Sequence, residues 1–123
     1  MIVSSDHKPE VIEEVGNGSI NYNYDIEEVK KEMGPEVTIK EWQYESVQIW
    51  KPITANKITK EVITDKWGID HEQKLLNEYN AALMGIYTDE EAELKKTNYT
   101  NYLTERKRIK EQIDKDCKDL NIQ

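Results

Sequence analysis

The residues in this chain most able to support chemistry are two histidines, one cysteine and many carboxylates. A zinc site needs several Cys, His, Asp or Glu side chains at ligand spacing. His7 and His71 are far apart in the sequence, and Asp70-His71-Glu72 lies at the start of a predicted helix, where adjacent side chains diverge. This pattern is typical of a helix-capping turn with an exposed histidine, so we predict no metal site.

Neither Cys117 nor the carboxylates belong to a recognisable catalytic grouping. A cysteine nucleophile needs a base and an electropositive setting, whereas the neighbours of Cys117 are two aspartates and a lysine. Paired carboxylates such as Glu13-Glu14 are expected by chance in so acidic a chain. Gly16-Asn17-Gly18 is too short for a phosphate loop and precedes a strand pattern rather than a helix. We therefore predict no catalytic residue, no cofactor and no small-molecule substrate.

The composition predicts one domain with a thin core, because only 37% of the 123 residues are hydrophobic and 34% are charged. Packing against another chain would help such a core. The net charge of −8 is concentrated in residues 1–50, which carry −7. An acidic first half repels phosphate backbones, which argues against nucleic acid as a partner. The basic cluster at 105–112 is interleaved with glutamates and is typical of a solvated helix face.

The sequence contains no pattern for secretion or membrane insertion. Its start, MIVSSDHKPE, has no basic region followed by an apolar run, and no segment approaches the roughly 18–20 apolar residues of a membrane span. A single cysteine excludes an internal disulfide and fits synthesis in a reducing cytoplasm. We expect no membrane as a partner.

Residues 1–50 have the alternating pattern of an acidic sheet region. The runs 11–15 and 19–26 flank Gly16-Asn17-Gly18, whose residue types accept the positive φ of tight hairpin loops. EEVKKEMGPE then breaks the alternation, and a third run covers 37–50, where changes of phase predict a bulge or bend. We predict an antiparallel sheet of two to four strands, with the first ten residues loosely held.

Residues 51–123 predict a helical region, because their apolar residues recur at intervals of three and four. Thr54 is a candidate N-cap of the first helix, and Gly68 and Gly85 end the first two. The fold class is therefore α+β, a small N-terminal antiparallel sheet followed by three helices in one folding unit. The predicted helix bounds are about 54–67, 70–84 and 88–120.

The last predicted helix is the longest and has a heptad-like seam. Thr88 and Glu91 have capping-box spacing, and neither Gly nor Pro follows as far as Leu120. At 1.5 Å per residue the seam spans roughly 48 Å, longer than this domain needs. We expect part of the helix to pack on the two shorter helices and the rest to project or to pair with another chain. Whether the seam closes within or between chains stays open. The seam positions are Ala92, Lys95, Tyr99, Tyr102, Arg106, Ile109, Ile113, Asp116 and Leu120.

Aromatic residues provide the largest apolar side chains, since the chain has seven Tyr, three Trp and no Phe. Tyr and Trp carry a polar group and therefore tolerate half-buried faces and interfaces. In the sheet region they either form the thin core or bind a partner at an exposed sheet edge, and both can hold on different faces. The predicted interface residues are Tyr22, Tyr24, Trp42, Tyr44, Trp50, Tyr99, Tyr102, Ile109, Ile113 and Leu120.

Four stretches follow one another in an order that points to a family: NYNYDIEEV, WQYESVQIWKPITANKITKEVI, KLLNEYNAALMGI and YTNYLTERKRIKEQI. This order, over roughly Asn21 to Ile113, resembles small proteins encoded among the virion structural genes of tailed phages and prophages of gut Bacteroidales. The resemblance implies a virion component of the head- or tail-fibre region, or its assembly helper, made in the host cytoplasm. It implies no catalytic residues.

These features together predict a non-enzymatic virion structural protein, an adaptor or base that links a capsid or tail surface to a fibre. We expect it to form a homo-oligomer and to bind other virion proteins through protein–protein contacts. Two alternatives stay open, a fibre-assembly chaperone absent from the mature particle and an acidic phage inhibitor of a host protein. A small hydrolase is the least favoured class.

Overall fold

The computed structural model describes the backbone of residues 1–123 and every side chain except that of Met33. A four-stranded antiparallel sheet precedes three helices, of which the last is long, and this confirms the predicted α+β class. The strands are β1 (Ile2–Ser5), β2 (Ile12–Glu14), β3 (Ser19–Gly34) and β4 (Val37–Trp50). The helices are α1 (Ala55–Trp67), α2 (His71–Leu83) and α3 (Asp89–Asp119).

The chain divides within α1 into two units, Met1–Glu61 and Val62–Gln123. The sheet and the first half of α1 belong to the first unit, and the end of α1 with α2 and α3 belongs to the second. The prediction that residues 1–50 and 51–123 make one folding unit stays a prediction.

The predicted hairpin around Gly16-Asn17-Gly18 is present between β2 and β3. Both glycines have positive φ, 91° and 88°, which residues with a Cβ rarely adopt. The Asn17 side chain accepts a 3.2 Å hydrogen bond from the backbone N–H of Ser19. The strands then pair antiparallel, with Ile12 opposite Tyr22.

Strand β1 contradicts the expectation that the first ten residues are loosely held. It pairs antiparallel with β4, with Ile2 opposite Glu45 and Ser5 opposite Trp42, and gives the strand order β1-β4-β3-β2. The terminal ammonium lies 3.2 Å from the Glu45 carboxylate. The strand is four residues long, too short for its alternation to be recognised in the sequence.

Strand β3 continues past the predicted break and contains the irregularity that was expected in β4. Between Tyr24 and Glu27 it advances three residues while β4 advances two, from Glu45 to Gln43, so the bulge lies in β3. Asp25, inside the bulge, has a φ of 50°. The prediction of a bulge or bend in β4 is wrong, because β4 keeps a period of two and has apolar residues on both faces.

The inner part of the sheet forms the core of the first unit. Ile20 lies opposite Ile49, and Tyr22 lies opposite Val47. All four side chains are buried, with Val47 the most exposed at 7%. Cross-strand pairs of this kind stabilise a sheet through direct side-chain contact as well as burial.

The helix ends follow the predicted signals in part. The backbone N–H of Lys57 donates to Thr54 Oγ1 at 3.2 Å, so Thr54 caps α1 as predicted. Gly68, with a φ of 80°, follows the last residue of α1 and donates to Thr64 O at 2.8 Å. Thr88 is at the N-cap position of α3, but its side chain makes no capping hydrogen bond, so the predicted capping box does not form.

Helices α2 and α3 pack antiparallel in the second unit. The Tyr79 and Tyr99 ring centroids are 5.0 Å apart, and Lys95 Nζ lies 3.5 Å from Glu78 Oε2. The seam of α3 is buried at Ala92, Tyr102, Ile109, Ile113 and Asp116, which agrees with the predicted spacing. None of the described helices has a segment long and apolar enough to cross a lipid bilayer.

Candidate functional site

The part of β3 and β4 beyond the other strands projects as a two-stranded ribbon, here called the β-arm and defined as residues 29–41. β1 pairs with β4 only over Trp42–Glu45, and β2 pairs with β3 only over Ile20–Tyr22. In the β-arm the two strands therefore pair only with each other, from Val29 opposite Glu41 to Gly34 opposite Val37. At about 3.4 Å per residue the ribbon is roughly 17 Å long.

The β-arm is exposed on both faces. Every described side chain from residue 30 to residue 40 is exposed. Three β-branched residues share one face, because β4 places Val37 and Ile39 on the side of Glu41, which lies opposite Val29. Val37 is 52% exposed and Ile39 43% exposed. Unburied β-branched side chains on a free ribbon are a candidate contact surface.

Six of the thirteen residues of the β-arm are charged, and their charges balance one another. The segment contains three lysines and three glutamates, so it has no net charge in a chain of −8. Lys30 lies directly opposite Lys40, and Lys40 Nζ is 3.8 Å from Glu28 Oε1. Edge lysines discourage unspecific strand pairing.

An isolated two-stranded hairpin is marginally stable in water, because it buries little apolar surface. The β-arm is of this kind beyond its base, and both of its edges offer unpaired backbone N–H and C=O groups. These groups and the exposed apolar face are the features that a partner protein uses in strand addition. The β-arm is therefore the strongest candidate binding element in the first unit.

The sheet aromatics predicted as an interface do not form one surface. Tyr22 and Tyr24 are buried, with ring centroids 5.8 Å apart. Trp42 and Tyr44 are half-buried on the opposite face of the sheet, since Tyr22 pairs with Val47 and β4 alternates. Trp50 is 53% exposed. The burial of the two tyrosines favours the core interpretation for them, and a role of the others at an interface stays a prediction.

The helical residues predicted as an interface also differ in how deeply they are buried. Tyr102, Ile109 and Ile113 are at most 5% exposed, so little of their surface is free for a partner. Tyr99 is half-buried against Tyr79, and Leu120 lies just beyond α3 and is 47% exposed. Sequence reasoning missed a more exposed group at the turn between α2 and α3, where Leu83, Met84 and Ile86 are 58%, 77% and 71% exposed.

A cavity of about 510 Å³ lies within the second unit. Its wall includes Trp67 from the end of α1, His71 and Leu75 from α2, and Tyr102 from α3. The Trp67 and Tyr102 rings meet edge to face at a centroid distance of 4.9 Å, and the His71 ring is 5.6 Å from that of Tyr102. Sequence reasoning did not bring these residues together, because they come from three helices.

His71 and Cys117, two of the groups considered for catalysis, have different surroundings. The ring of His71 packs against Trp67 and Tyr102, and no cluster of three or more His, Cys, Asp or Glu among the described residues can hold a metal ion. Cys117 is buried, and burial followed by the nearby aspartates raises the pKa of its thiol, which disfavours the thiolate. The absence of catalysis, metal and cofactor stays a prediction.

The carboxylate with the most defined environment is Glu105. Arg108 hydrogen-bonds to both of its oxygens, the closest contact being 2.6 Å, and Lys66 Nζ lies 3.7 Å away. The hydrogen bond from Arg108 is the main cause that lowers the pKa of Glu105. A carboxylate held ionised by two cations is a poor general acid or base at neutral pH.

Comparison with known proteins gives no relative from which a role can be transferred: no family model, no curated protein and no solved structure matches this chain. The likeness to virion proteins of Bacteroidales phages therefore stays a prediction from the sequence stretches that carry it.

Proposed function

We propose that this chain is a non-enzymatic structural protein of a tailed-phage particle, an adaptor that joins a capsid or tail surface to a fibre. The single observation that carries the binding role is the β-arm, a ribbon exposed on both faces whose edges have no further strand. The phage context comes from the sequence resemblance, and the β-arm supplies the element with which such an adaptor holds a neighbour.

The apolar face of the β-arm accounts for specific contact with a partner. Val37 and Ile39 are β-branched and suited to packing on a strand or a flat surface, yet they have little to pack on within the chain. A partner that covers them removes apolar surface from water and adds backbone hydrogen bonds along the ribbon edge. Binding of this kind orders a marginal ribbon and joins two proteins without any chemical step.

The second unit offers a separate apolar surface, which supports the proposal of a homo-oligomer or a second virion partner. Leu83, Met84 and Ile86 are exposed together around one turn, and contiguous exposed apolar residues commonly mark protein contacts. An adaptor needs two such surfaces, because it must hold two neighbours at once.

Mass spectrometry of purified particles from the encoding phage or prophage tests this function. We expect the chain at a stoichiometry comparable to that of the fibre, and chemical cross-links from Lys30, Lys31 or Lys40 to a capsid, tail or fibre protein. A chain that is absent from particles but bound to free fibre subunits is instead a chaperone. A strictly monomeric chain with no virion partner contradicts both roles.

A matched pair of substitutions tests whether the β-arm makes the contact. Val37→Thr with Ile39→Thr keeps the β-branched shape but makes the apolar face polar, and we expect it to lower incorporation into particles. Thr38→Ser, on the opposite face, is the control and should leave incorporation unchanged. Equal incorporation of both variants would exclude this face as the contact.

The salt dependence of binding separates the adaptor from an inhibitor that mimics nucleic acid. The β-arm has no net charge, so an interaction through it should change little between low and moderate salt. An inhibitor that binds a basic host protein through the acidic first half should weaken steeply as salt increases.

A further inference from the structure

The cavity in the second unit is a groove open to solvent, with a volume in the range of ligand sites. Its volume of about 510 Å³ is within the range of about 300–1,000 Å³ typical of ligand sites. All of its lining residues belong to the second unit, and none belongs to the β-arm. What the cavity binds is thus a question independent of the proposed adaptor role.

One wall of the cavity is aromatic. Trp67 and Tyr102 meet edge to face, which fixes the plane of each ring, and His71 lies beside both at centroid distances of 6.4 and 5.6 Å. Lys66 Nζ lies 5.6 Å from the centroid of a Trp67 ring and 3.7 Å from Glu105 Oε1. An aromatic wall of this kind suits a ligand that has a flat apolar face.

Two side-chain amides on α3 offer hydrogen-bonding groups to a ligand in the cavity. Asn98 and Asn101 are three residues apart, so both side chains project from the same side of the helix, and both line the cavity. Asn98 is half-buried and Asn101 is exposed, and within the described part of the chain neither side chain hydrogen-bonds to another residue, so two donors and an acceptor on each amide are open to a ligand or to water. Such amides pair with hydroxyl groups, which also donate and accept.

The charges around the cavity disfavour an anionic ligand. The lining contains Lys66 and Glu105, whose Nζ and Oε1 atoms are 3.7 Å apart, so the two charges offset each other. Burial, followed by the negative charge of Glu72, raises the pKa of Tyr102, so the phenol keeps its proton. A phosphate or carboxylate would have to compete with Glu105 for Lys66.

We propose that this cavity binds a neutral hexopyranose unit, as a binding site and without a reaction. A pyranose ring has a face of C–H groups, which packs on the Trp67 side of the cavity, and a rim of hydroxyls, which pairs with the Asn98 and Asn101 amides.

Nuclear magnetic resonance of the ¹⁵N-labelled full chain tests the proposal directly. The probes are the methyl glycosides of glucose, galactose, mannose and N-acetylglucosamine, each titrated into the millimolar range. We expect saturable shifts of the Trp67 indole N–H and of the Asn98 and Asn101 side-chain amides. The indoles of Trp42 and Trp50 should not move, because neither residue lines the cavity.

Two variants decide whether the amides bind the sugar. Asn98→Ala with Asn101→Ala should weaken binding of the best glycoside by at least about tenfold, from the loss of two hydrogen bonds. Asn80→Ala removes an exposed asparagine of α2 outside the cavity and should leave affinity unchanged. Unchanged affinity in the double variant overturns the proposal. The absence of a saturable Trp67 shift with all four glycosides, or a shift with sodium phosphate alone, overturns it too.

Discussion

Replacing Lys30–Lys40 by Asn-Gly, so that Val29 and Glu41 are joined by a two-residue loop, should leave the protein folded. Asn-Gly suits the tight turn that connects two antiparallel strands. The deletion removes four cross-strand pairs, and each such pair is worth about 0.2–1 kcal/mol. One of the four, Lys30 opposite Lys40, brings like charges together and is unfavourable.

The exposure of the deleted segment limits the expected loss of stability. All of its described side chains are exposed, so the deletion removes almost no buried apolar surface. The ordering of those residues also no longer costs conformational entropy. We therefore expect the free energy of unfolding to change by no more than about 1–2 kcal/mol.

Urea unfolding followed by tryptophan fluorescence measures this change, because Trp42, Trp50 and Trp67 are all retained. The m-value should fall only slightly, since it scales with the surface that unfolding exposes. A loss of more than about 3 kcal/mol, or a broad transition of low m-value, would show that the β-arm supports the core, and would refute our reasoning.

Three further predictions follow from individual side chains. Ile49→Ala should destabilise the chain by about 2–5 kcal/mol in urea unfolding, because Ile49 is 1% exposed. The control Ile39→Ala should cost less than about 1 kcal/mol, because Ile39 is 43% exposed. Equal losses of stability would contradict the assigned burial. The Cys117 thiol should react slowly in the folded protein, and because its folded pKa is raised from 9.0, its contribution to stability, present below pH 9.0, should diminish as pH rises through the folded pKa. The stability difference between wild type and Cys117→Ala across this range measures that loss, and a constant difference would contradict it. Lys30→Thr removes the repulsion with Lys40 and should increase hydrogen-exchange protection in the β-arm by about 0.2–1 kcal/mol, whereas a decrease would show that Lys30 stabilises the ribbon.

The sheet base and the helices were predictable because their sequence signals act locally. Gly16 and Gly18 carry the positive φ of the hairpin, and Thr54 and Gly68 mark the ends of α1. The full length of β3 was not predictable for a physical reason. Beyond the bulge at Asp25 neither face of the strand is buried, so no apolar alternation is required there.

The candidate sites were harder to predict than the fold. The buried tyrosines Tyr22 and Tyr24 looked like interface residues because exposure cannot be read from residue type. The cavity combines Trp67, His71 and Asn98 from three helices, and single-sequence patterns do not indicate which helix faces meet. Its strongest signal in the sequence is the pair of asparagines three residues apart, which is too common a pattern to single out.

The distribution of apolar residues explains why the β-arm is both the least predictable element and the best candidate for binding. With 37% hydrophobic residues, the chain has a small set of buried apolar side chains, which lie in the sheet base and on all three helices. The β-arm is left with balanced charges and a small exposed face, so its order depends on backbone pairing and not on burial. A partner that covers Val37 and Ile39 supplies the missing burial. Burial of this apolar face and pairing along the ribbon edge would thus be the driving force by which the proposed adaptor holds its neighbour.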